Sequence, residues 1–397
     1  MLYLFNNIKR KDIFDLIESN DNDMLISKLL EFGLSEGLSG NLYKKFILYT
    51  LIYNDNSYTR IIEKGLKTEG ETSYVDHDLK YFYDLYNKDI NVEEIKDFKL
   101  KSINGDKYLS KLINYLYDNI NDNTYDTFKN AILDFYKTKG LSDMAVYKAF
   151  RVDDGRLKPI KNVLDVTFDD LIGYEEQKRL IKENTLNFIN GKNYNNVLLY
   201  GDSGTGKSSS IKALLNEYFD LGLRIIEVYK HQMEEIPKII NKLKNRPYHY
   251  IIYMDDLSFE ENEIEYKYLK SIIEGGIEPK PENVAIYATS NRRHLIKETM
   301  ADNGGVFDDL HRSETQAEKL SLAYRFGLQI FYSGLSPQQF KDMVKELAQR
   351  NDIKMPLDEI IKEATRWELT YGSLSGRCAT QFISYLANKD SNNDWFS

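Results

Sequence analysis

The octapeptide Gly201-Asp202-Ser203-Gly204-Thr205-Gly206-Lys207-Ser208 follows the apolar run VLLY and precedes the amphipathic SSIKALLNEYF. These residue types at this spacing suit a phosphate-binding loop. Glycines let backbone N–H groups curl around phosphate oxygens, and the helix that follows adds the positive end of its dipole. On this reading the binding stretch runs from Gly201 to Ser209. Lys207 reaches the β- and γ-phosphates as a charge, and Ser208 offers its hydroxyl to Mg²⁺.

About fifty residues on, YIIYMDD reads as a buried strand ending in two acids. Asp255 is placed to hold the Mg²⁺ shell and Asp256 to orient the attacking water. Taken without the loop upstream, two aspartates after an apolar run are equally an ordinary turn. A later run, IYATSNRRH, ends a further strand, and ligands of parallel sheets bind beyond the carboxyl ends of the strands. Asn291 is therefore the candidate to hold the lytic water near the γ-phosphate; capping a turn is the plainer role for an isolated asparagine there.

The elements that must position these residues follow from hydrophobic periodicity. Five apolar runs, Val197 to Tyr200, Arg224 to Tyr229, Tyr248 to Met254, Val284 to Thr289 and Leu328 to Tyr332, alternate with amphipathic stretches. That pattern predicts a five-stranded parallel α/β sheet. Residues 1–150 show helical spacing throughout, as in Ile13, Phe14 and Ile17, with short polar breaks and no fixed-period repeat, and read as an all-α N-terminal domain carrying no chemical motif. The stretch from Val152 to Asp165 has Gly155, Pro159 and little periodicity, and reads as a linker. Residues 151–335 then form the α/β core. After Ser336-Pro337, a helix start, residues 336–397 read as a small helical lid.

Composition narrows the function class. The chain has 397 residues with 53 Lys+Arg against 62 Asp+Glu, so its formal charge of -9 repels phosphate backbones and anionic lipid. Nucleic-acid contact would need a local patch. The one compact basic cluster near the site, Arg292-Arg293-His294, is the size of a charged turn, and DNA as a substrate is not supported. The single cysteine, Cys378, forms no intramolecular disulfide and reads as packed core. The five histidines are scattered, so no zinc site is spelled out. No run of 18 apolar residues suggests a membrane span, and a reducing, cytoplasmic setting is expected.

The order of phosphate loop, strand-DD, strand-TSN, LAYRFG and a late SGR resembles that of AAA+ ATPases. More specifically, NNVLLYGDSGTGKSS, IIYMDDLSFE, IYATSNRRHL, EKLSLAYRFGL and SGRCATQF together resemble the bacterial AAA+ family described as domain of unknown function 815, over about 145 to 390. The resemblance implies an adenine pocket lined by the segment Leu171-Ile172-Gly173-Tyr174, with Ile172 and Gly173 as its contact residues. It implies that Arg325, just before the fifth strand, completes the site of a neighbouring copy, and that Arg377 touches the γ-phosphate from the lid. ATP and Mg²⁺ are then the cofactors and a homo-oligomer the working form. Residues 1–145 match only in being helical; they read as an interaction surface, with a protein partner favoured over DNA by elimination.

One departure stands out. AAA+ hydrolases usually carry Asp-Glu where this chain has Asp255-Asp256, and the second side chain is shorter by one methylene. Its carboxylate would fall short of the usual water position by about 1 Å, a displacement that can cost about a hundredfold in rate. Glu260 and Glu261 are the nearest substitutes, although a run of acids is most often a solvated loop. Two readings therefore stand: a machine that hydrolyses ATP to remodel or load a partner, and an ATP-gated assembly module with little or no turnover. A P-loop kinase would share the loop but gives no reason for Asn291, Arg325 and Arg377 in this order.

Overall fold

The computed structural model describes residues 2–19, 22–66, 72–90, 92–99, 108–120, 122, 124–244, 246–259, 263, 265–274, 280–291, 295, 322–371 and 373–393. The chain divides into two compact units, Met1–Tyr147 with Asn245–Pro247, and Lys148–Lys244 with Tyr248–Ser397.

The first unit is helical. Among the described residues it holds α1 (Lys11–Ser19), α2 (Asn22–Glu36), α3 (Leu42–Ile52), α4 (Ser57–Glu63), α5 (Thr72–Tyr86), α6 (Glu93–Lys96), α7 (Tyr108–Asp118), α8 (Tyr125–Lys139) and α9 (Ser142–Val146). Helix α3 is apolar on nearly every face, which suits only a central position, and each of its residues except Lys44 is buried. The amphipathic α1 and α8 bury one stripe each, Ile13, Phe14 and Ile17 in the former and Phe128, Ile132, Phe135 and Tyr136 in the latter. The buried Asp78 collects the backbone N–H groups of Tyr3, Leu4 and Phe5 at 2.7 to 3.1 Å and so fixes the segment ahead of α1.

The second unit is built on a sheet of seven strands in the order β2-β1-β4-β5-β6-β3-β7. The five expected strands are present as β3 (Val197–Gly201), β4 (Leu223–Glu227), β5 (His249–Met254), β6 (Val284–Ser290) and β7 (Leu328–Tyr332), and they run parallel. The sheet is larger than the expected five strands because the stretch read as a linker is a hairpin. β1 (Ala149–Asp153) and β2 (Arg156–Ile160) turn at Asp154-Gly155, both with positive φ, and β1 joins β4 in parallel. Pro159 argued against a strand, yet β2 is an edge, where a missing N–H is tolerated.

β5 and β6 are buried almost end to end, as expected of strands covered on both faces. Between strands run α10 (Glu175–Ile189), α11 (Lys207–Tyr218), α12 (Ile236–Leu243) and α13 (Glu265–Glu274). Beyond β7 come α14 (Pro337–Arg350), α15 (Leu357–Tyr371) and α16 (Gly376–Asn393), which bury Phe340, Val344, Ile360, Phe382 and Leu386 in a small core of their own. Ser336 opens α14 with a capping box, accepting the Gln339 N–H and donating its own N–H to Gln339 Oε1.

Candidate functional site

The loop from Gly201 to Gly206 leaves β3, which lies between β6 and the edge strand β7, and enters α11. Gly201 (φ +131°), Gly204 (φ +75°) and Gly206 (φ +95°) all adopt conformations that side chains rarely take. At Gly201 the demand is also steric, because a Cβ there would lie 2.1 Å from the Tyr332 carbonyl oxygen of β7. Among the described residues, the backbone N–H groups of Ser203, Gly204, Thr205, Gly206 and Lys207 have no acceptor within the protein. Five donors at the positive end of a helix form a nest for an anion.

Lys207 is buried at the centre of that nest. Its Nζ donates to the carbonyls of Gly201 (2.9 Å) and Asp202 (2.7 Å) and to Asn291 Oδ1 (3.0 Å). Burial pushes its pKa down, against the pull of the carboxylates of Asp202, Asp256 and Asp255. Its hydrogen-bond acceptors are all neutral oxygens, and the carboxylates of Asp202, Asp256 and Asp255 offset the cost of burying its charge only in part.

The acids arrive from β5 and the asparagine from β6. Register pairs Met254 with Ala288, so Asp255 emerges beside Thr289. Asp255 Oδ1 accepts hydrogen bonds from Ser208 Oγ (2.7 Å), Tyr253 OH (2.7 Å) and Thr289 Oγ1 (2.6 Å). Burial alone would raise this carboxyl; the bonds from Thr289, Ser208 and Tyr253 outweigh it and hold the pKa below its ordinary value. Asp256 stands at φ +50° and its Oδ1 accepts from Asn291 Nδ2 at 2.7 Å. The amide of Asn291 thus touches Lys207 through its oxygen and Asp256 through its nitrogen.

Lys207, Ser208, Asp255, Asp256 and Asn291 line a cavity of about 690 Å³, together with the apolar side chains of Val166, Leu171, Ile172, Met343 and Leu347, the ring of Tyr174, and the polar Asp170, Lys178, Thr380 and Gln381. Gly173 (φ +80°) and Tyr174 (φ +60°) make the sharp entry into α10, and the Tyr174 hydroxyl donates to the Ser333 carbonyl at 2.8 Å. From α16, Arg377 lines the cavity with an exposed side chain while its N–H donates to the Gly204 carbonyl at 3.2 Å.

The structure therefore brings together Ile172, the loop from Ser203 to Ser209, Asp255, Asp256, Asn291 and Arg377 around one cavity. Gly201 and Asp202 take part through their carbonyls on Lys207. Arg325, in the turn before β7, does not line the cavity. Glu260, Glu261 and the cluster Arg292-Arg293-His294 lie outside the described residues. Tyr253, Thr289, Tyr332, Met343 and Leu347 were not among the expected site residues. For Tyr253 a signal existed, because residues two apart on a strand share a face and Tyr253 stands two before Asp255.

The second unit thus combines a mostly parallel sheet with a glycine-rich loop after β3, acids after β5, an asparagine after β6 and helices α14 and α16 lining the same cavity. The chain belongs to the family described as Protein of unknown function (DUF815), whose model matches residues 143–390. No curated protein matches it. Among solved structures, a RuvB variant from Thermotoga maritima is 16% identical with a TM-score of 0.38; the match covers 55% of this chain and 64% of that one. The Thermotoga maritima RuvB Holliday junction branch migration motor is 13% identical with a TM-score of 0.32, over 55% of this chain and 71% of that one. No helix among the described residues is long and apolar enough to cross a membrane.

Proposed function

We propose that this protein binds Mg-ATP in the 690 Å³ cavity and hydrolyses it where two copies meet, to remodel or load a macromolecular partner. The observation that carries the reading is the convergence of a desolvated lysine, five unpaired loop N–H groups, two acids and an asparagine on a cavity that is also lined by Val166, Leu171, Ile172, Met343 and Leu347. The apolar side chains suit a purine ring and the nest suits its phosphates. Ser208 and Asp255 supply a hydroxyl and a carboxylate, oxygen donors that fit a hard divalent cation. Mg²⁺ held there would neutralise charge on the β- and γ-phosphate oxygens. Lys207 adds a fixed positive charge, and Asp256 and Asn291, already hydrogen-bonded to each other, orient the attacking water. Arg377 reaches the γ-phosphate end from α16. Arg325 acts on the site of a neighbouring copy, which accords with its absence from the lining of its own cavity. The N-terminal helical unit presents a surface to a protein partner.

Steady-state ATP turnover per subunit across a hundredfold range of protein concentration tests this. Turnover should climb with concentration in wild type, and Lys207→Ala and Arg325→Ala should each lower it at least about a hundredfold, as loss of a phosphate-clamping charge does. Only Lys207→Ala should also abolish ATP binding. Wild type that binds ATP yet turns none over at any concentration refutes the hydrolytic part. That outcome would favour the second reading, an ATP-gated assembly module, which the short Asp256 side chain and its engagement by Asn291 support.

A further inference from the structure

One oxygen of Asp255 carries three hydrogen bonds while the other carries none. Oδ1 receives the hydroxyls of Thr289 (2.6 Å), Ser208 (2.7 Å) and Tyr253 (2.7 Å), and Oδ2 has no partner among the described residues. A carboxylate oxygen has about two lone-pair directions, so three donors saturate it. Ser208 spends its proton on Oδ1, which leaves its lone pairs for another ligand. Thr289 does two things at once: its single proton goes to Asp255, and its oxygen accepts the Asp256 N–H at 2.9 Å. That second bond steadies the backbone of Asp256 at φ +50°, a conformation aspartate adopts only with local support. Thr289 is 1% exposed and Tyr253 5% exposed, so both hydroxyls are held in fixed surroundings.

We infer that Tyr253 and Thr289 are positioning residues for the divalent cation: they pin Asp255 through Oδ1 and so present Oδ2, with the Ser208 lone pairs, as a preformed cation edge. The inference rests on the Mg-ATP reading above. Removing groups that orient a metal-holding carboxylate typically weakens metal affinity 10- to 100-fold without touching the ligands themselves. A merely structural pair of hydroxyls, satisfied by the nearest acceptor, would affect folding and all nucleotide binding alike. Positioning groups affect only the gain that the metal brings.

Calorimetric titration of ATP into the full chain, in EDTA and at graded free MgCl₂, separates the two. In Tyr253→Phe and Thr289→Val, ATP affinity in EDTA should stay within about threefold of wild type, while the free Mg²⁺ at which binding tightens rises about 10- to 100-fold. Thr289→Ser, which keeps the hydroxyl, should return most of that loss. An unchanged Mg²⁺ midpoint in both Tyr253→Phe and Thr289→Val overturns the inference, and so does an equal loss of ATP affinity with and without the metal. Wild type whose ATP binding ignores Mg²⁺ overturns it as well. Wild type that binds no ATP at all overturns the proposed function itself, an outcome distinct from intact wild-type Mg²⁺ tightening that the variants share.

Discussion

Gly201 and Asp256 show how much one residue can decide here. A side chain at Gly201 would collide with backbone of β7, so the loop's shape is dictated by its neighbour strand as well as by its own sequence. Asp256 sits in a left-handed conformation with its carboxylate on Asn291. Lengthening it is therefore informative: Asp256→Glu should raise ATP turnover, by about tenfold if reach limits the rate, since misplacement by 1 Å can cost about a hundredfold. Single-turnover measurements at saturating ATP would read this, and an unchanged rate would show that reach is not limiting. The loop, both acids and Asn291 were legible in the sequence because their chemistry is written locally, in glycine spacing and strand ends. Thr289 was not, because its meaning depends on the pairing of β5 with β6, which no single segment contains.

Elements add constraints that motifs do not carry. The five central strands announced themselves as apolar runs, and their ends shifted by only a residue or two. The hairpin of β1 and β2 did not, because Asp154-Gly155 and Pro159 resemble a linker until the edge position of β2 explains them. In the helical unit, Asp78 is the corresponding hidden constraint. Burial opposes its charge, yet the N–H groups of Leu4, Phe5 and Tyr3 and contact with His77 outweigh it and hold its pKa below the ordinary carboxylate value. A group depressed in this way contributes stability above its unfolded pKa, about 3.9, and loses it as pH falls through the lower folded value. Asp78→Asn should therefore cost about 2–3 kcal/mol at pH 7, with the gap to wild type narrowing toward pH 2. Urea unfolding followed by far-UV circular dichroism at the two pH values checks this. Tryptophan emission should move less, because the sequence has no tryptophan before residue 367.

At the scale of the whole molecule, the net charge of -9 repels phosphate backbones, so a nucleic-acid substrate would need a local basic patch. What the molecule does offer is a test of whether one copy serves another. If Arg325 acts between copies, Lys207→Ala and Arg325→Ala are each inactive alone but complement when mixed. A site with Lys207 intact can then borrow Arg325 from its neighbour, and random equal mixing should restore about a quarter of wild-type turnover. No recovery would place Arg325 outside the catalytic site. The contact between Gly204 and α16 bears on how such a site would report its state. The Gly204 carbonyl accepts the Arg377 N–H, and a Cβ at Gly204 would press within 3.1 Å of Arg377 and 3.0 Å of Ser375. The loop and the start of α16 are thus meshed at this point: a tilt of α16 that moves Arg377 must either break that bond or carry the Gly204 carbonyl with it.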